Sequence, residues 1–150
     1  MNILIVDDEP TYRQMLETFL RMEGWSVLTA SDGQDALQRL GEAKVDCIIS
    51  DVYMPVMDGL KFHTKLREMP EYKTIPFLFV SAYSDLYTLN AVTSTNNDGF
   101  LQKTKPLKLL KEWILYLMTP EDKRPSGHPE ETTTQTKYER SHDRSIPRRK

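Results

Sequence analysis

The chain has 150 residues, 39% of them hydrophobic and 28% charged, and a net charge of −2. That is enough apolar material for one domain with a real core, and too balanced a charge to argue for nucleic acid on global grounds. Cys47 is the single cysteine, which excludes an internal disulfide. No apolar run approaches the ~18 residues of a membrane span, and the N-terminus lacks the basic region and cleavage site of a signal peptide, so a cytoplasmic location is expected.

In chain order, NILIV (2–6) is a short continuous apolar run, as expected of a strand buried on both faces. PTYRQMLETFLRMEG follows, with Met15, Phe19, Leu20 and Met22 at near-helical spacing, Pro10 suited to a first turn and Gly24 to a C-terminal cap. WSVLTA is a second strand and DGQDALQRLGEA a short helix. VDCIIS is a third strand, in which Cys47 reads as a buried thiol. DGLKFHTKLRE is a helix with Leu60, Phe62 and Leu66 for its inner face; His63 on it reads as a partly exposed side chain. IPFLFVS is a fourth strand, DLYTLNAVTS (85–94) a weak helix, GFLQK (99–103) a fifth strand and PLKLLKEWILYLM a strong final helix.

Five repeats of strand then helix predict an α/β fold: a doubly wound, five-stranded parallel sheet covered on both faces. Past Met118 the composition shifts. Residues 1–118 hold 12 basic and 16 acidic side chains; residues 119–150 hold 8 and 6, with almost no aliphatic ones. The expected division is therefore a domain over 1–118 and a disordered tail or linker over 119–150. The terminal IPRRK is basic but short, and reads as solvated chain rather than a nucleic-acid contact.

The strand ends carry the chemistry. Strand one runs into Asp7 and Asp8, strand three into Asp51, strand four into Ser81 and strand five into Lys103. In open parallel sheets ligands bind beyond the carboxyl ends of the strands, where strand order reverses. For five strands a common order is 2-1-3-4-5, which sets strands one and three side by side and brings Asp7, Asp8 and Asp51 to one rim. Carboxylates about 4 Å apart repel by roughly 4 kcal/mol at an effective dielectric near 20. A Mg²⁺ ion, which takes hard oxygen donors, would reverse that sign. Taken singly, each acid is an ordinary turn or cap residue; their convergence with Ser81 and Lys103 is what points to a site.

The motifs LIVDDEP, DCIISDVYMPVMDG, FLFVSA and GFLQK, dispersed over residues 1–118, together resemble the receiver domain of two-component response regulators. The resemblance implies a flavodoxin-like three-layer sandwich and a phosphoacceptor switch that catalyses only its own phosphorylation and dephosphorylation. Asp51 matches the phosphoacceptor, taking a phosphoryl group from a phosphohistidine of a sensor histidine kinase or phosphotransfer protein. Asp8 and Asp51 would ligate Mg²⁺ directly, with the backbone carbonyl of Tyr53, and Asp7 mostly through metal-bound water. Lys103 would pair with a phosphate oxygen, and Ser81 would donate its hydroxyl to another. Phe100 takes the switch aromatic position, its alternative being a plain core ring. Phosphorylation would move Ser81 and Phe100 and change the surface made by the helix over 85–94, the fifth strand and the last helix.

The sequence departs from the family at FLQKTKPLKLL, where proline follows Lys105 rather than Lys103. Counting from the strand selects Lys103, because the two-residue alternation sets which way a side chain points; counting from the proline selects Lys105. Tyr53 and Tyr83 lie two residues past Asp51 and Ser81, where two rings would hinder an attacking water, or else be surface tyrosines with no kinetic role. Pro55, Asp58 and Gly59 read as turn and cap residues of the following loop. The apolar face of the last helix, with Trp113, reads as packed surface that could extend into a homodimer contact. Nothing after Met118 reads as a DNA-binding or catalytic domain. The chain is thus either a stand-alone receiver or a module of a hybrid kinase or longer regulator. A Mg²⁺-dependent aspartyl phosphohydrolase would need its nucleophile just after strand one with a second Asp two residues on, a spacing that DDEP lacks. A flavodoxin-like electron carrier is disfavoured by an acidic rim that would repel a flavin phosphate.

Overall fold

Five strands, β1 (Asn2–Val6), β2 (Ser26–Ala30), β3 (Cys47–Asp51), β4 (Phe77–Ser81) and β5 (Asp98–Gln102), form one parallel sheet. Their order is β2-β1-β3-β4-β5, as expected. The computed structural model describes residues 1–83 and 96–129; the helix expected over 85–94 lies outside the described residues.

Because successive side chains on a strand point to opposite faces, one apolar run feeds two cores. From β1, Leu4 and Val6 enter one cluster and Ile3 and Ile5 the other. From β4, Phe77 and Phe79 enter the first, Leu78 and Val80 the second. The first cluster is closed by α2 (Gly33–Glu42) and α3 (Gly59–Glu68) through Ala36, Leu40, Phe62 and Leu66. The second is closed by α1 (Pro10–Met22) and the last helix (Leu107–Met118) through Leu16, Leu20, Leu110, Trp113, Ile114 and Leu117. Helices therefore cover both faces, and β3 and β4 are buried along their whole length. Each buried Leu, Ile or Phe contributes about 1.5–3 kcal/mol by leaving water. Cys47 is fully buried, and burial pushes its thiol up to about 12.

Local chemistry sets the helix starts. The Asp32 carboxylate accepts from the Asp35 amide, and that of Asp58 from the Lys61 amide, each satisfying an orphan N–H of its helix. Pro10 opens α1, where its missing N–H is not needed.

The chain past Met118 does not leave the domain at once. Arg124 donates to the carbonyls of Leu117, Thr119 and Asn96, and its guanidinium lies 5.0 Å from the centre of the Tyr116 ring. Asn96 donates to Glu121, and His128 stacks on Trp113 at 5.4 Å. Residues 119–129, expected to begin a tail, thus lie back along the last helix. A polar segment can do this without aliphatic residues because its cations find helix-end carbonyls and ring faces.

Candidate functional site

The carboxyl ends of β1 and β3 lie side by side, Val6 opposite Ser50, so the residues that follow share one rim. Asp7 is fully buried and Asp51 nearly so, at 7% exposure, whereas Asp8 points to solvent. One carboxylate oxygen from each of Asp7, Asp8 and Asp51 lies within 4.8 Å of the others. Lys103 reaches the same point from the end of β5. Its Nζ is 2.8 Å from Asp7 Oδ2, 3.3 Å from Asp51 Oδ2 and 3.9 Å from Glu9 Oε2. Lys103 lies one residue past the strand, yet its N–H still bonds the Ser81 carbonyl at 2.8 Å, so the sheet ladder aims the side chain. Lys105 is exposed; the strand count, not the proline count, picks the lysine of the rim.

Backbone details hold the acids in place. Asp7 Oδ1 accepts from the Glu9 amide at 2.9 Å, and Asp51 Oδ1 from the Val52 amide at 2.8 Å, leaving each Oδ2 turned to Lys103. The loop after Asp51 folds back tightly. The Gly59 amide bonds the Val52 carbonyl at 2.8 Å, and a Cβ on Gly59 would stand 2.0 Å from the Asp51 carbonyl oxygen. Only glycine permits that approach. Within the loop the Met57 amide bonds the Pro55 carbonyl at 2.7 Å across Val56, whose φ is +67°. That is a γ-turn centred on a β-branched residue, a strained geometry beside the rim.

One lysine does not balance three acids. Burial, then the charge of Asp7, pushes Asp51 up to about 6, with Lys103 only partly offsetting them. Burial raises Asp7 above the ordinary carboxylate range despite its lysine partner. Burial lowers Lys103, but its bonds to Asp7 and Asp51 more than reverse this and hold it raised. Tyr12, facing Asp7, Asp51 and Glu9 from a half-buried position, is raised above the ordinary phenol range, chiefly by burial. A rim with unbalanced, partly buried, oxygen-only donors suits a hard divalent cation with waters completing its shell.

The other expected residues take these places. Ser81 is fully buried at the end of β4, its Oγ accepting from the Tyr83 amide at 3.1 Å. Phe100, 9% exposed, belongs to the core cluster with Phe77 and Phe79. The Tyr53 and Tyr83 rings meet edge to face at 6.1 Å, both largely exposed.

One cluster went unread in the sequence. His63 is partly exposed, as expected, but it has close partners: its Nε2 is 2.9 Å from Asp98 Oδ1, and its ring lies 4.9 Å from Phe77 and 5.1 Å from Phe79. Arg67 also donates to Asp98 and to the carbonyls of Tyr72 and Ile75. The usable signals were the one-turn spacing of His63 and Arg67 on α3 and an acid opening a buried strand.

The fold and this rim are those of a receiver-type module. The family model described as "Response regulator receiver domain" matches residues 3–114, and the chain belongs to that family. Over 114 residues it is 35% identical to the sensor histidine kinase RcsC of Salmonella typhimurium, covering 76% of this chain but only 12% of RcsC. The solved structure of the Vibrio cholerae chemotaxis protein CheY4 superposes with a TM-score of 0.72 at 33% identity, covering 77% of this chain and 97% of that one. The response regulator TrrA of Thermotoga maritima, solved in complex with Mg²⁺–BeF, superposes with a TM-score of 0.68 at 29% identity over 77% and 97% of the two chains.

Proposed function

We propose that the chain is a cytoplasmic phosphoacceptor switch in which Asp51 takes a phosphoryl group from a phosphohistidine on a sensor histidine kinase or phosphotransfer protein. The observation that carries this reading is the placement of Asp51 Oδ2 3.3 Å from Lys103 Nζ with Asp7 and Asp8 around it. The Asp51 oxygen forms a bond to phosphorus as the phosphorus–nitrogen bond breaks. The imidazole leaves with that electron pair and takes up a proton. Asp7, Asp8, Asp51 and the Tyr53 carbonyl are the groups that would hold Mg²⁺, which when bound supplies charge compensation to the acids and to the phosphoryl oxygens. The acids thereby stop repelling the incoming anion. Lys103 meets a phosphoryl oxygen as a point charge. Ser81 exchanges its bond to the Tyr83 amide for one to the phosphoryl group, and Phe100 repacks beside it. The chain is no turnover enzyme: one phosphoryl group is gained and later lost to water. Its output is a changed surface around β5 and the last helix, read by a protein partner or a second copy.

Incubation with acetyl phosphate and Mg²⁺ should add one phosphoryl mass per chain, abolished in Asp51→Asn and when Mg²⁺ is chelated. Continued turnover of phosphomonoesters, or labelling that survives Asp51→Asn, would sink the reading. Tyr53 and Tyr83 follow Asp51 and Ser81 by two residues and their rings meet edge to face, so they should slow phosphate loss by hindering the attacking water. Replacing both by Ala should hasten that loss several-fold, and an unchanged decay of the labelled protein would make them plain surface residues. The 12% span of RcsC supports a second setting for the same chemistry, as the receiver module of a hybrid kinase. A reading frame that continues past Lys150 would decide for it.

A further inference from the structure

Lys103 must reach the rim with a long, flexible stem, and a lysine carries little directional preference of its own. Three acids surround its ammonium, but they do not pull the same way. Asp7 and Asp51 draw it inward, whereas Glu9, 3.9 Å away and 61% exposed, draws it toward solvent. The remaining contact is not an acid. Lys103 Nζ lies 4.5 Å from the centre of the Tyr12 ring.

Tyr12 is well placed to hold. It stands in the first turn of α1, and that turn is fastened to the end of β1: the Arg13 guanidinium donates to the Asp7 carbonyl at 2.6 Å, and the Arg13 amide bonds Glu9 at 3.1 Å. The ring also packs against the core cluster under α1. A cation over an aromatic face is attracted by the ring quadrupole. The pull of the acids on the lysine falls once their charge is compensated. The pull of the ring does not, because the ring carries no net charge.

We propose that Tyr12 is a positioning residue for Lys103, its ring face keeping the ammonium at the Asp7–Asp51 side of the rim when the acids no longer do. This rests on the reading of Asp51 as phosphoacceptor. The sequence offers no hint of it, since Tyr12 reads there as one more residue of an amphipathic helix.

The test uses the full chain, acetyl phosphate and Mg²⁺, with initial mass gain as readout. Tyr12→Phe keeps the ring face and should label at the wild-type rate. Tyr12→Leu keeps bulk but loses the face and should label about three- to tenfold more slowly, with Tyr12→Met as the substitute if the Leu variant does not fold. In a Lys103→Ala background Tyr12→Leu should cause no further loss, whereas a merely structural role would lower the rate in both backgrounds. A second readout needs no phosphodonor or metal: the Lys103 ε-methylene protons should show a ring-current upfield shift by NMR, kept in Tyr12→Phe and lost in Tyr12→Leu. Wild-type labelling with an unchanged Tyr12→Leu rate, or an equal loss in the Lys103→Ala background, overturns the proposal. Absence of wild-type labelling at Asp51 overturns instead the phosphoacceptor reading beneath it.

Discussion

Asp51 and Asp98 are both nearly buried, and they lie at opposite ends of the same sheet, one closing β3 and the other opening β5. Their surroundings differ in one respect. Asp98 faces two basic side chains, His63 and Arg67, whereas Asp51 shares Lys103 with Asp7. Burial raises both carboxyls; at Asp98 the bonds and charges of His63 and Arg67 more than reverse that and leave it below the ordinary carboxylate value, and at Asp51 the second acid adds to it. The chain thus satisfies a buried charge where it joins α3 to β5 and leaves one unsatisfied where a ligand would enter. Unbalanced charge at a cleft is the mark of a functional site rather than a structural one.

Substitution should have opposite signs at the two ends. Asp98→Ala removes the carboxylate partner of the largely buried Arg67 guanidinium, leaving it the Tyr72 and Ile75 carbonyls, and should cost about 3 kcal/mol in chemical denaturation; a loss under 1 kcal/mol would make the two clusters equivalent. Asp51→Asn removes a repelling charge while Lys103 keeps Asp7, so the metal-free protein should gain about 1–2 kcal/mol at neutral pH. The stabilisation that Mg²⁺ gives the wild type should shrink in the same variant. A destabilised, still Mg²⁺-responsive Asp51→Asn would refute the account of the rim.

The pH profile gives the smallest and most graded contrast. An acid whose folded value is raised binds its proton more tightly folded than unfolded. Its stabilising contribution is complete below the ordinary value of 3.8 and is lost as pH rises through about 6. Metal-free wild-type protein should therefore lose on the order of 2 kcal/mol from Asp51 across that window, and Asp51→Asn should flatten the loss. Asp98, held low, works the other way: its contribution is present above 3.8 and disappears as pH falls below it. Thermal melts across pH, without metal, separate the two.

Much of this was legible in the residues because it rests on periodicity and on strand ends. NILIV and FLFVS read as strands buried on both faces, and the common order 2-1-3-4-5 for five such strands brings Asp7, Asp8 and Asp51 to one rim. The choice of Lys103 over Lys105 also followed from strand alternation, since a β ladder fixes direction and a proline merely marks a turn. What the sequence hid depends on tertiary neighbours. His63 and Asp98 are 35 positions apart and meet only because the fold brings α3 to the start of β5. Tyr12 meets Lys103 for the same kind of reason, at the junction of the first helix and the last strand. Arg124 and His128 sit in a stretch with the composition of a solvated linker, and their anchors are carbonyls and ring faces, which composition does not count.

The stacking of His128 on Trp113 makes the molecule its own optical gauge. An imidazole stacked on an indole quenches its emission, so the brightness of Trp113 tracks whether the segment carrying His128 stays docked. With only two tryptophans in the chain, Trp25→Phe leaves a single fluorophore watching how the polypeptide departs from the last helix.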